Sequence, residues 1–304
     1  MSVALGRTGA AKVAVRVLPA CAFAAIFSPF LPEQELARFQ VELVAKGYTY
    51  TDGPAWSKDG FLIFSDTPAG RLFKWVPGQL PQVYRESVEG PAGNAFDSQG
   101  RLYTCETRTR RVTRTDRRGS VEVLADRWEG KRLNAPNDIA VGRGDHVYFT
   151  DPAFGSQADH RELDFYGVFH VLPSGRLEVV ARLTGRPNGV ALSPNGRVLY
   201  VTNSDDRSVL AYDLDRNGQP ASQRTLIENT GAIPDGIRVD EKGNLYVAAH
   251  GIAIYTPAGQ LVETIPLAEP ASNCGFGERD GKSLFITARQ NVYRVRLPEN
   301  ESWQ

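Results

Sequence analysis

The sequence predicts an all-β protein, a six-bladed β-propeller closed by an N-terminal strand that completes the last blade. Three observations support this prediction. A short motif recurs six times along the chain, and each copy belongs to a group of runs rich in β-forming residues. The one run missing from the last group is present ahead of the first motif. A ring closed in this way leaves no open junction between the first and last blades.

The repeated motif is clearest in two segments, RPNGVALSPNG from Arg186 and IPDGIRVDEKG from Ile233. They align without a gap. The segments DGPAWSKDG, NDIAVGRGD and NCGFGERDG fit the same frame, and AGNAFDSQG is a weaker copy. The copies begin at six anchor residues, which are Asp52, Ala92, Asn137, Asn188, Asp235 and Asn273. Their spacing, 38 to 51 residues, is typical of propeller blades with four strands each.

Each predicted blade takes its strands in chain order. The anchor opens the first strand, and a polar turn joins it to a second run, as in FLIFSD, HVYFTD and SLFITA. Third runs include GRLFKWV and NVYRVRL, and fourth runs include SVEVLAD and LVETIPL. Only PENESWQ follows NVYRVRL, so the last group lacks a fourth run. FQVELVAKG, which precedes the first anchor, is predicted to supply that strand.

Two domains are predicted, an N-terminal extension over 1–27 and the propeller over 28–304. The extension contains the basic segment RTGAAKVAVR and then the apolar segment VLPACAFAAIF, an order that resembles a secretory signal. The apolar segment is short and contains Pro19, however, so we expect a cytoplasmic protein, with export to the periplasm or secretion as the alternative. No apolar run reaches 18 residues, so no membrane span is expected.

Charge and cysteine content exclude some functions. The chain of 304 residues has 35 basic and 35 acidic residues, a balance that argues against a nucleic-acid partner. The three cysteines, Cys21, Cys105 and Cys274, form no CxxC motif and are predicted to be buried thiols. The oligomeric state stays undetermined.

The anchors predict a metal site. First strands of propeller blades begin at one face and run down the central channel, so the anchors should form one ring of two carboxylates and three amides. Turn preferences explain one or two Asn or Asp residues better than five of six. The absence of His and Cys favours a hard divalent cation. Ca²⁺ is the favoured ion, and Mg²⁺, Mn²⁺ or Zn²⁺ are the alternatives.

These same motifs, including GPAWSKDGFLIFSD, RPNGVALSPNGRVLYV and PDGIRVDEKGNLYVA, resemble the gluconolactonase and senescence-marker-protein family over about residues 30–297. The resemblance implies a divalent metal in the channel of a six-bladed propeller that hydrolyses sugar-acid lactones or related esters. It implies metal binding by Asp52, Asn188 and Asp235, and a metal or substrate contact at Asn137. It also assigns Asp235 the role of general base.

Two residues depart from the family pattern. The family has a Glu where this chain has Asp52, so the carboxylate reaches less far. Ala92 replaces a residue that is polar in many relatives, which affects substrate identity more than metal binding.

Further candidates lie where second strands end or where loops reach the same face. Phe154, Arg289 and His250 are predicted to contact substrate, and His250 is a second candidate for the base. Three carboxylates at the ends of second strands are predicted to be structural, namely Asp66, Glu106 and Asp151.

The leading function is a metal-dependent lactonase acting on a small-molecule lactone. The alternatives are a phosphotriesterase-like hydrolase on the same calcium propeller and a non-enzymatic calcium-binding propeller.

Overall fold

A computed structural model describes residues 39–298 and confirms the six-bladed propeller. Each blade is a four-stranded antiparallel sheet, and neighbouring strands in the sheet are consecutive in the chain, except where the ring closes. The predicted extension over 1–27 lies outside the described residues, so its nature and the cellular location stay predictions. Within residues 39–298, no helix has the length and apolar character needed to cross a membrane.

The strands follow the predicted order. The chain enters the ring through β1 (Val41–Lys46). The first blade contains β2 (Thr51–Ser57), β3 (Phe61–Asp66), β4 (Arg71–Trp75) and β5 (Gln82–Arg85). The second contains β6 (Pro91–Phe96), β7 (Leu102–Glu106), β8 (Arg111–Thr115) and β9 (Val121–Ala125). A small hairpin that was not predicted follows, made of β10 (Arg127–Trp128) and β11 (Lys131–Arg132).

The remaining blades repeat this arrangement. The third contains β12 (Ile139–Val141), β13 (Val147–Asp151), β14 (Tyr166–Val171) and β15 (Leu177–Leu183). The fourth contains β16 (Pro187–Leu192), β17 (Val198–Asn203), β18 (Ser208–Leu214) and β19 (Pro220–Ile227). The fifth contains β20 (Ile237–Val239), β21 (Leu245–Ala248), β22 (Gly251–Tyr255) and β23 (Leu261–Pro266). The sixth contains β24 (Ala271–Gly277), β25 (Ser283–Ala288), β26 (Asn291–Arg296) and β1. The third blade also carries two short 3₁₀ helices, Arg143–Asp145 and Gly155–His160.

The N-terminal strand closes the ring as predicted. β1 pairs antiparallel with β26, with Val41 opposite Val295 and Lys46 opposite Asn291. Across the joint between the first and sixth blades, the Trp56 and Phe285 rings stack with their centroids 5.2 Å apart. The strand pairing and this aromatic contact together hold the two ends of the described chain.

The core consists of apolar side chains packed between neighbouring blades, and it includes the buried thiols of Cys105 and Cys274. The inner strands approach one another closely at glycines that follow the anchors. A Cβ atom at Gly189 would lie 2.6 Å from the Asp235 carbonyl oxygen, and one at Gly236 would lie 2.2 Å from the Asn273 side chain. Because only glycine fits at these two positions, the anchors come together around a narrow channel.

Candidate metal and substrate site

The channel opens into a cavity of about 730 Å³ that contains most of the predicted site. Its lining includes five of the six anchors and Phe154 of the third blade. The anchors in its wall are Asp52, Ala92, Asn137, Asn188 and Asp235. The structure therefore brings together all four proposed metal-binding residues, although they come from four different blades. A volume of this size is typical of small-molecule sites.

Asp52 lies in β2 and is buried at the end of the channel. Its Oδ1 atom accepts hydrogen bonds from the Gly53 backbone N at 2.6 Å and from Asn273 Nδ2 at 3.3 Å. Burial, followed by the charge of Asp138, raises the pKa of Asp52 to about 7. A cation beside this carboxylate would stabilise its charged form, which burial alone disfavours.

Asp235 lies just before β20, where its backbone is fixed on both sides. Its N–H donates to the Ala248 carbonyl at 2.8 Å, and its carbonyl accepts from Thr202 Oγ1 at 2.6 Å. Burial raises the pKa of the Asp235 carboxyl well above its usual range, and the nearby charges of Asp52 and Asp138 raise it further. A hydrogen bond from Asn188 acts in the opposite direction.

Asn188 supplies an oxygen that has no partner. Its Nδ2 donates to Ser204 Oγ at 3.1 Å, whereas its buried Oδ1 accepts no hydrogen bond. Leaving a buried polar atom unpaired costs free energy, so such atoms often mark a missing ligand. The buried carboxylate of Asp52, the half-buried carboxylate of Asp235 and this free amide oxygen form a donor set that suits a hard divalent cation. Within residues 39–298, no three His, Cys, Asp or Glu side chains cluster as metal ligands, so the candidate depends on this mixed set.

Asn137 is half-buried in the cavity wall and its backbone is held firmly. Its N–H donates to the Thr150 carbonyl at 2.9 Å, and its carbonyl accepts from Gly93 N at 2.7 Å. Its side-chain amide has no hydrogen bond within the described part of the chain. The amide is therefore available to a cation or to substrate.

The sixth anchor, Asn273, does not line the cavity. Its Oδ1 accepts from the Cys274 backbone N at 2.9 Å, and its Nδ2 donates to Asp52. The side chain of Asn273 therefore orients a neighbouring carboxylate of the anchor ring and does not face the cavity.

Two other predicted residues line a separate, smaller cavity. His250 and Arg289 border a space of about 260 Å³, which shares Tyr50, Ile233 and Asp235 with the main cavity. Phe154 thus lies on a different wall from these two residues. Their roles in substrate binding stay predictions.

Sequence reasoning missed Tyr50, which lies between the two cavities. Burial raises the pKa of its hydroxyl, and the nearby carboxylates of Asp235 and Asp52 raise it further. Its position two residues before an anchor was the available signal, since side chains two apart in a strand share a face.

Arg186 and Asp205, which line the main cavity, form an ion pair that the sequence analysis did not predict. Arg186 Nε lies 3.0 Å from both carboxylate oxygens of Asp205. The Arg186 guanidinium carbon also lies 4.9 Å from the centroid of the Phe154 ring. These contacts hold Phe154 against the fourth blade, where its ring can cover a bound molecule.

A third missed feature is a largely buried ion pair close to the anchors in the chain. Arg238 Nη1 donates to Asp138 Oδ2 at 2.8 Å, and Nη2 donates to Oδ1 at 3.1 Å. Asp138 Oδ2 also accepts from the Val190 backbone N at 3.1 Å. The three residues belong to three consecutive blades, and each lies one to three positions after a proposed site residue. We call this group the channel ion pair.

The three outer carboxylates are structural, as predicted. Asp66 accepts hydrogen bonds from the backbone of Thr49 and Tyr50, and Asp151 accepts from the backbone of Asn134 and Ala135. Glu106 pairs with two arginines, Arg85 at 2.5 Å and Arg111 at 2.7 Å.

Known proteins share both the sequence and the architecture. A gluconolactonase of Zymomonas mobilis is 37% identical over 89% of this chain and 85% of its own length. Bovine regucalcin is 26% identical over 79% of this chain and 83% of its own length. The solved structure of a Xanthomonas campestris gluconolactonase superposes with a TM-score of 0.81 at 32% identity, covering 86% of this chain and 91% of the other.

These relatives confirm the predicted resemblance and the predicted enzyme class, a gluconolactonase-like hydrolase of ester bonds. Residues 50–290 match the model of the SMP-30/gluconolactonase/LRE-like region, and the chain belongs to that family.

Proposed function

We propose that this protein is a divalent-metal-dependent lactonase that hydrolyses a sugar-acid lactone or a related ester. The observation that carries the proposal is the unpaired Asn188 Oδ1 in a cavity of about 730 Å³ that is also lined by two carboxylates, the buried Asp52 and the half-buried Asp235. Gluconolactonase relatives covering most of the chain support the choice of substrate class.

Asp52, Asn188 and Asp235 would hold the cation, and Asn137 would bind either the cation or substrate. Two carboxylates balance a divalent charge, and oxygen donors in an irregular arrangement suit Ca²⁺, with Mg²⁺, Mn²⁺ or Zn²⁺ as alternatives. When bound, such a cation supplies electrostatic stabilisation of the negative charge that develops on the lactone carbonyl oxygen. Asp52 lacks one methylene of the family's Glu, and Ca²⁺ tolerates such variation in its shell better than Mg²⁺ does.

Asp235 would act as general base. Its carboxylate would take a proton from a water molecule as the water oxygen bonds to the carbonyl carbon. The bond between that carbon and the ring oxygen then breaks, the ring oxygen receives the proton, and the product is the open hydroxy acid. The carboxylate of Asp52, by contrast, accepts two hydrogen bonds from the protein and is better suited to a fixed ligand.

Substrate hydroxyls could form hydrogen bonds with unpaired polar groups in the cavity wall. Thr67 Oγ1 is buried there without a hydrogen-bond partner, and the Asn137 amide is free. Phe154 offers an apolar face on the opposite side. His250 and Arg289 would reach substrate from the smaller cavity.

The test is a panel of lactones, aryl esters and an organophosphate triester, each assayed with chelator-treated protein and after Ca²⁺ is restored. We expect lactone hydrolysis that is lost on chelation and recovered with Ca²⁺. The cation should also stabilise the fold, by about 2.7 kcal/mol at a hundredfold excess over Kd. Faster hydrolysis of the triester would favour the phosphotriesterase-like alternative. Calcium-dependent stabilisation without any hydrolysis would favour a binding protein.

A further inference from the structure

The smaller cavity adjoins the main one, because Asp235 lines both, so a substituent on a ring held in the main cavity would lie beside it. Its volume is about 260 Å³, enough for a short substituent. Tyr50 and Ile233 border both spaces. The wall of the smaller cavity is otherwise largely apolar, and is made by Ala232, Ala249, Pro270 and Ala271.

Arg289, an exposed residue, brings a positive charge to this cavity, which Asp235 also lines. Among residues 39–298, its guanidinium has no hydrogen bond and no ion pair. Arg186 of the main cavity differs, because its guanidinium is already paired with Asp205. An arginine at an apolar cavity wall favours a planar anion such as a carboxylate, or a phosphate.

The backbone of Arg289 is fixed although its side chain is free. Its carbonyl accepts hydrogen bonds from Thr51 N at 2.7 Å and Thr51 Oγ1 at 3.3 Å. Its φ angle is 46°, in the left-handed region that non-glycine residues seldom occupy. Thr51 directly precedes the proposed ligand Asp52, so the backbone of Arg289 is attached to the strand that carries the metal site.

Charge balance also favours an anion here. A divalent cation would neutralise Asp52 and Asp235, and Asp138 is paired with Arg238. The positive charge of Arg289 then has no partner among residues 39–298, and His250 lines the same cavity.

We propose that the smaller cavity binds a second acidic group of the substrate, held mainly by Arg289. The preferred substrates are then sugar-acid lactones that carry a further carboxylate or phosphate on the ring substituent. This inference rests on the proposed lactonase function and specifies its substrate class.

The test compares kcat/KM for gluconolactone, which is neutral, with glucarolactone and phosphogluconolactone, which carry a carboxylate and a phosphate. We expect the wild-type protein to favour at least one acidic lactone by tenfold or more. Arg289→Ala should lower kcat/KM for that lactone by about 10- to 100-fold, mainly through KM, and should lower kcat/KM for gluconolactone by a smaller factor, so that the preference for the acidic lactone is lost. Arg289→Lys should retain part of the preference, because it keeps the charge but loses the planar fork.

Arg207 provides the matched control. It is an exposed arginine at the rim of the main cavity, with φ of 51° and no side-chain partner among the described residues. Arg207→Ala should leave the preference unchanged. The inference is overturned if wild type treats neutral and acidic lactones alike, or if Arg207→Ala removes the preference and Arg289→Ala does not.

A lack of any lactone hydrolysis would instead refute the proposed function. The subsite can then be tested by calorimetric titration with glucarate, the open dicarboxylate. Binding that weakens tenfold or more in Arg289→Ala, with Arg207→Ala unchanged, would still support the acid subsite. Equal binding by all three proteins would overturn it.

Discussion

At the scale of single residues, the two cavity carboxylates differ in how the protein uses their oxygens. Asp52 accepts hydrogen bonds from the Gly53 backbone and the Asn273 amide, which fix its orientation. The carboxylate of Asp235 has a hydrogen bond from the Asn188 amide alone among the described residues. Asp235 also lines both cavities. This difference makes Asp235 the better candidate for proton transfer and Asp52 the better candidate for a fixed ligand.

We therefore predict unequal effects of two matched substitutions. Asp235→Asn should lower kcat by about 10²- to 10⁴-fold at saturating metal, since general-base catalysis typically contributes that much. Asp52→Asn removes the same charge but leaves the base, so its loss in kcat should be smaller. The measurement is steady-state hydrolysis of the best lactone, with bound metal quantified in each protein.

Metal content is the necessary control, because a lost cation would imitate a lost base. Asp52→Glu, which restores the family residue, should preserve turnover. Equal losses of kcat in the two Asn variants at full occupancy would show that both residues act only as ligands. The base would then have to be sought elsewhere, with His250 as the first candidate.

At the scale of the structural elements, the channel ion pair ties together the inner strands that carry the site. Asp138 precedes β12, Val190 lies in β16 and Arg238 lies in β20, so the contacts cross three blades. Both charged side chains are largely buried, with 1% of Asp138 and 16% of Arg238 exposed. The charge of Asp138 raises the pKa of both Asp52 and Asp235, so the pair lies within electrostatic reach of the proposed cation.

The two members of this pair should affect cation binding in opposite directions. Asp138→Asn removes a negative charge and should weaken calcium binding by roughly tenfold, whereas Arg238→Met should strengthen it. Either change leaves one buried group unpaired and should lower the free energy of unfolding of the metal-free protein by about 3–5 kcal/mol. Calcium titration calorimetry and chemical denaturation measure the two effects.

The double variant Asp138→Leu/Arg238→Met supplies the control, because it removes both charges together. Its stability should recover most of the loss seen in the single variants. If both single variants weaken calcium binding to the same extent, the pair merely maintains the fold and has no electrostatic influence on the site.

At the scale of the whole molecule, closure of the ring depends on one six-residue strand, β1. It covers the edge of β26, and its Ala45 packs with Phe285 and Val292 in the buried joint between the first and last blades. Removing β1 would expose the backbone hydrogen-bonding groups of β26 and uncover this apolar cluster.

We expect deletion of residues 1–27 to leave a folded protein with the same melting temperature within a few degrees, since the six blades remain. Deletion of residues 1–47 should cause unfolding or aggregation. Circular dichroism melts and size-exclusion chromatography distinguish these outcomes. A soluble 48–304 protein with a cooperative transition would show that β1 is dispensable.

Much of this molecule follows from the sequence alone. The six copies and their β-rich runs determined the number of blades, their strand order and the role of β1. They also predicted that one site contains Asp52, Asn137, Asn188 and Asp235, because the first strands of propeller blades all begin at the same face. These features repeat along the chain, so the spacing of the motif copies is enough to predict them.

Only the tertiary structure decided how individual side chains are used. Asn273 has the same place in the repeat as Asn188, yet it donates to Asp52 while Asn188 leaves an oxygen free. The contact between Asp138 and Arg238 joins residues 100 positions apart, and Arg289 opens into a different cavity from Phe154. Such contacts depend on how the blades twist and pack against each other. The sequence pattern of one repeat does not show which side chains of the adjacent blades will lie next to its own.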